Sequence, residues 1–128
     1  MRALLDTLAF LWWNIEPELL SPDAHELIAD GENELFLSAA SAWEIAIKYG
    51  KGHLSLPGDA ESFVISRVTA RGFRPLPIEI SHAVHVCHLP PLHKDPFDRL
   101  IISQSQLESL PIITADANIA RYDVEIIW

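Results

Sequence analysis

The strongest constraint in this sequence is its alternation of short apolar runs with longer amphipathic ones. Ala3-Leu4-Leu5, Glu34-Leu35-Phe36-Leu37-Ser38, Phe73 to Leu76, Pro111-Ile112-Ile113-Thr114 and Val124 to Ile127 read as strands. The segments between them read as helices: Leu8 to Trp13, Ser21 to about Asp30, Ala39 to Tyr49, Asp59 to about Arg71, Ser81 through His88, and Asp95-Pro96 to Leu107. A short helix from Asp116 to Tyr122 precedes the last strand. Ser21-Pro22 supplies an N-cap and a proline at the first helical position, Gly31 and Gly72 supply stops, and Pro90-Pro91 closes a helix. Strands that are apolar throughout must be buried on both faces. That is the mark of a parallel sheet with helices on either side, an α/β fold.

With 128 residues, 49% of them hydrophobic, the chain makes one domain with a real core and has no repeat or linker to divide it. No apolar stretch approaches the roughly 20 residues that span a bilayer. Met1-Arg2-Ala3-Leu4-Leu5 has the look of a leader, but Asp6 and Asn14 interrupt the run and no small-x-small cleavage site follows. The single cysteine, Cys87, excludes an internal disulfide and suits a reducing compartment. A cytoplasmic protein is the expectation.

An open parallel sheet binds ligands at the carboxyl ends of its strands. Four acids fall there. Asp6 directly follows the first strand, and Asp116 follows the fourth. Glu44 lies in the second turn of the helix after the second strand, and Asp98 in the first turn of the helix leading into the fourth. Crowded carboxylates raise one another's pKa. A hard divalent cation with oxygen ligands resolves that conflict, and magnesium is the natural occupant of an open carboxylate site acting on phosphate. Each acid also has an ordinary structural use. Asp6 and Asp116 can cap helices, Asp95-Pro96-Phe97-Asp98 makes a capping arrangement by itself, and Glu44 can pair with Lys48. The apolar neighbours Ala40, Trp43 and Ile47 set Glu44 apart from an ordinary solvated acid.

Four stretches carry a family pattern, in order along the chain: Leu4-Leu5-Asp6-Thr7 with Leu11-Trp12-Trp13, Ser38 to Lys48, His93 to Ile101 (HKDPFDRLI), and Thr114-Ala115-Asp116 through Tyr122. On these the sequence resembles PIN-domain ribonucleases, in particular the VapC-like toxins of bacterial toxin–antitoxin pairs. The resemblance implies a three-layer α/β/α fold whose sheet has strand order 3-2-1-4-5. It implies a homodimer, an endoribonuclease dependent on Mg²⁺ or Mn²⁺, and a cognate antitoxin that blocks the site. The implied acidic quartet is Asp6, Glu44, Asp98 and Asp116, supported by Thr7, Asp95 and Thr114. Two positions depart from the pattern: Leu8 where a polar residue is common, and Asn118 where some members carry a further acid.

The net charge of −9 counts mildly against a nucleic-acid partner, although bound cations reverse the local sign. Arg99, Lys48 and Lys94 are the candidate phosphate contacts, with Lys51 and Arg121 behind them. His82, His85, His88, Cys87 and His93 hint at zinc, but no second cluster completes a structural-zinc pattern. Cys87 is expected to be buried and inert. Trp12, Trp13, Trp43 and Trp128 are expected in the core or at a dimer face, with the apolar first helix partly covered by a partner. The rivals on a similar sheet are a non-catalytic PIN-like binding module, which would be expected to lack part of the quartet, and a phospho-receiver. A receiver needs an acid pair after the first strand, a phospho-acceptor aspartate after a central strand and a lysine at the last, whereas Asp6 stands alone and no lysine follows Thr114.

Overall fold

The computed structural model describes residues 1–128. Five strands, β1 (Arg2–Leu5), β2 (Glu34–Ser38), β3 (Arg74–Leu76), β4 (Ile112–Ile113) and β5 (Ile126–Ile127), form one sheet in the order β3-β2-β1-β4-β5. Every pairing is parallel, with Leu5 opposite Leu37 on one side and Ile113 on the other. The helices are α1 (Thr7–Ile15), α2 (Pro22–Ala29), α3 (Ala39–Gly50), α4 (Ala60–Arg71), α5 (Ile80–His85) and α6 (Pro96–Glu108).

Alternation along each strand divides the core in two. Ala3, Leu5, Leu35, Leu37 and Ile113 point to one face, where Phe10 of α1, Ala24 and Ile28 of α2 and Phe63 of α4 cover them. Leu4, Phe36 and Ile112 point to the other, covered by Ile101 and Ile102 of α6 with Leu89, Ile119 and Tyr122. This explains why the strands carry no polar alternation: both faces are interior. Helix α3 serves both layers, placing Ala40 in one cluster and Ile45 in the other.

The layers are joined by polar contacts as well. Ser38, at the end of β2, accepts from Ala40 N as the cap of α3 and donates to Gln104 Oε1 of α6 at 2.5 Å, while Gln104 Nε2 donates to Pro77 O. Both side chains are fully buried. Gln104→Leu strands the Pro77 carbonyl and the Ser38 hydroxyl. It is expected to cost about 1–3 kcal/mol, read as a lower urea midpoint at unchanged slope.

Three local expectations are corrected. Helix α5 opens at Ile80, not Ser81, because the His82 ring reaches back and takes the Glu79 amide on Nδ1 at 2.9 Å. It tightens into a 3-10 turn over Val86–His88, which turns Cys87 outward, so the cysteine is exposed rather than buried. The segment after Asp116 makes only a 3-10 turn, Ile119–Arg121, because the Asp116 carboxylate captures the Asn118 amide in a local turn before a helix can propagate.

Candidate metal centre

β1 and β4 lie side by side, so the residues that leave their carboxyl ends meet. Asp6 caps α1, with Oδ1 accepting from Ala9 N at 2.6 Å, and turns Oδ2 to the Thr114 hydroxyl. The same Thr114 oxygen accepts from Asp116 N at 3.0 Å. One hydroxyl therefore ties the first acid to the last. Asp6 is almost wholly buried.

Glu44 approaches from α3. Its Oε1 accepts from Thr7 Oγ1 at 2.6 Å, and Thr7 Oγ1 also lies 2.9 Å from Ser41 Oγ. Its Oε2 receives Lys48 Nζ at 2.6 Å. Glu44 is 4% exposed; of the apolar neighbours the sequence pointed to, Ala40 is buried and Ile47 half-buried but Trp43 is 59% exposed, and Ser41 and Ile45 complete the buried surround in α3. Trp43 instead meets Phe97 edge-on, with centroids 5.3 Å apart.

Asp95 and Asp98 divide their labour. Asp95 Oδ1 accepts from both Phe97 N and Asp98 N, at 2.9 and 3.1 Å, so Asp95 is the helix cap. Asp98 is left to face inward, where Oδ2 meets His93 Nε2 at 2.9 Å. Donor atoms of His93, Asp98 and Asp116 all lie within 4.8 Å of one another. His93 is the residue that sequence reasoning misplaced. Spacing along the sequence puts it with His82, His85 and His88, but its position just ahead of the Asp95 cap brings it back over Asp98. Two of those histidines have other uses. His82 is buried against Glu79 and Gln104, and His85 bonds Gln106.

Arg99, the leading phosphate candidate by position, is turned toward the protein. Its guanidinium donates to the carbonyls of Pro90, Val86 and Leu89 and to Tyr122 Oη. Tyr122 Oη in turn accepts from His93 N at 2.9 Å. Arg99 is thus a clamp on the loop that carries His93. Lys48 is paired with Glu44 but half exposed, Lys94 and Lys51 are exposed, and Arg121 donates to Leu92 O. Trp12 stacks obliquely near Trp128, and Trp13 near His25.

Two carboxyls at this edge are held well above the ordinary carboxylate range. Burial pushes the Asp6 carboxyl up to about 6, against the Thr114 and Ala9 hydrogen bonds, and the nearby Asp98 and Asp116 add to the rise. Burial also pushes Asp98 up to about 6, against its His93 bond, with Asp95, Glu44 and Asp116 adding to it. A divalent cation fits this donor set. It offers what mutually repelling, desolvated carboxylates lack, and the oxygens match a hard ion.

A three-layer α/β domain with a wholly parallel sheet and acids gathered at its switch point is the class that fold and geometry define. The family model of the PIN domain matches residues 3–125, and the chain belongs to that family. Ribonuclease VapC16 of Mycobacterium tuberculosis is 40% identical over 63 residues, which are 49% of this chain and 45% of that protein. The match thus spans less than half of the relative's length. Among solved structures, the VapBC2 complex of Rickettsia felis bound to a promoter DNA fragment superposes with a TM-score of 0.72 at 16% identity, covering 100% of this chain and 99% of that one. FitAcB of Neisseria gonorrhoeae gives 0.67 at 21% identity, covering 100% and 97%. A toxin–antitoxin complex of Klebsiella pneumoniae gives 0.67 at 16%, covering 98% and 96%. At these identities the likeness is one of fold.

Proposed function

We propose that this chain is a divalent-metal-dependent endoribonuclease acting as the toxin of a toxin–antitoxin pair. The observation that carries this reading is the convergence of Asp6, Glu44, Asp98 and Asp116 at one sheet edge of a PIN domain. The 40% identity to a protein named as a ribonuclease and the fold likeness to toxin–antitoxin complexes support it.

Asp6 and Asp116 are the core holders of Mg²⁺ or Mn²⁺, with Glu44 and Asp98 binding directly or through water. When bound, the cation offsets charge on the phosphate and makes water a better nucleophile. The protein's own share is positioning. Thr114 fixes the Asp6 carboxylate relative to Asp116, and Thr7 fixes Glu44. Asp95 holds the first turn of α6 so that Asp98 faces the site. Lys48 and Lys94 are the exposed cations left to meet the RNA backbone. Hydrolysis proceeds with attack in line with the leaving 3′ oxygen, giving 5′-phosphate and 3′-hydroxyl ends. A second copy of the chain and a cognate antitoxin complete the assembly, which works in the cytoplasm.

The test is cleavage of single-stranded RNA by purified protein. Cleavage is expected with Mg²⁺ or Mn²⁺, absent with a chelator, and at least about a hundredfold slower in Asp116→Asn. Equal rates in variant and parent overturn the proposed site.

A further inference from the structure

We propose that His93 is a nitrogen donor of the metal centre and tilts it toward a divalent transition-metal ion over Mg²⁺. The inference rests on the acidic site proposed above. Three observations lead to it. His93 Nε2, Asp98 and Asp116 present donor atoms within 4.8 Å of one another, and no other group of histidine, cysteine or acidic side chains in the molecule does so. His93 Nε2 donates its hydrogen to Asp98 Oδ2 at 2.9 Å, so this edge of the imidazole is turned into the cluster, and a cation bound there would take the place of that hydrogen.

The loop bearing His93 is also pinned. The His93 amide donates to Tyr122 Oη, which is buried, and Arg99 reaches that same oxygen at 3.1 Å. Arg99 further grips the Pro90, Val86 and Leu89 carbonyls. Several hydrogen bonds thus set the place of one imidazole on a segment without regular structure, which is the arrangement expected of a group whose position matters. A carboxylate cluster alone suits Mg²⁺, which takes oxygen ligands and gives up water reluctantly. An imidazole added to two carboxylates favours the transition ions, for which nitrogen is the better donor.

Mn²⁺ is the probe, because its electron spin reports a coordinated ¹⁴N directly. Titrations of the metal-free chain with Mn²⁺, and competition by Mg²⁺, are compared between the parent and His93→Ala. Pulsed electron paramagnetic resonance of bound Mn²⁺ is recorded on both. The parent is expected to show ¹⁴N coupling that His93→Ala loses, and the variant's preference for Mn²⁺ over Mg²⁺ is expected to fall about tenfold or more. The His93 side chain makes no hydrogen bond beyond Asp98, so the variant is expected to fold, checked by an unchanged circular dichroism spectrum. Bound Mn²⁺ without ¹⁴N coupling in the parent overturns the role of His93 and leaves the acidic site standing. Failure of the parent to bind Mn²⁺ at millimolar concentration overturns both.

Discussion

Asp6→Asn is expected to give a protein that is more stable without metal and inactive with it. Asparagine is as good an N-cap as aspartate, so its Oδ1 continues to accept from Ala9 N, and the Thr114 hydroxyl can rotate to accept from the new amide. What disappears is a buried negative charge. The Asp6 carboxyl is raised from 3.8 to about 6 by burial, so the folded state holds its proton more tightly than the unfolded chain does. The stabilisation tied to that proton is complete below pH 3.8 and is lost as pH rises through 6. At pH 7.5 the parent carries the full penalty, about 3 kcal/mol at 1.36 kcal/mol per unit, and the variant escapes it. The gap between parent and variant in denaturant midpoint, measured with a chelator present, is expected to be small near pH 4 and to open between pH 4 and 7. RNA cleavage by the same variant is expected to fall about a thousandfold, roughly 4 kcal/mol of lost transition-state stabilisation. A variant less stable than the parent at pH 7.5, or one that still cleaves, contradicts this account of Asp6.

The second large effect is that of the cation on stability. Asp98 is raised to about 6 by the same burial, so its proton stabilises the fold over the same range and in the same direction as that of Asp6. Metal-free protein is therefore expected to lose the contribution of these two groups on going from pH 4 to pH 7. A cation replaces the missing protons. At a hundred times its dissociation constant it adds about 2.7 kcal/mol, which for a domain of this size raises the melting temperature by roughly 10 °C. At pH 5 protons compete for the same oxygens, and the shift is expected to shrink to a few degrees or less. Calorimetric scans with Mn²⁺ or a chelator at pH 5 and pH 7.5 make the comparison. Superimposable curves at pH 7.5 count against a metal at this edge.

Much of this was legible in the linear chain. Strands such as Leu4-Leu5 and Ile112-Ile113 have no polar face, and a strand with no polar face has to lie between two layers. The caps at Ser21, Asp59 and Asp95 could be read because capping is a local matter between neighbours in sequence. The strand order followed from the family pattern and stands as expected. The DPFD segment shows the limit. Either aspartate could cap α6 or face the site, and only the fold shows that Asp95 takes both free amides while Asp98 turns inward. Cys87 and the Asp116–Tyr122 segment were misjudged for a related reason: whether a short turn becomes α or 3-10 depends on competing side-chain bonds and on where the next strand must start.

The acids at the sheet edge were thus determined by the sequence itself. Asp6 directly follows β1, Asp116 comes three residues after β4, and a parallel sheet leaves one edge for both. The local pair of Lys48 with Glu44 was also within reach of the sequence, whereas tertiary structure decided the distant partners: Thr114 between Asp6 and Asp116, Thr7 on Glu44, and His93 over Asp98. It also engaged the Arg99 guanidinium with backbone carbonyls and Tyr122. The physical reason is range. A hydrogen bond between Asp6 and Thr114 spans 108 residues of chain, and no local preference specifies such a meeting until the sheet has brought its strands together.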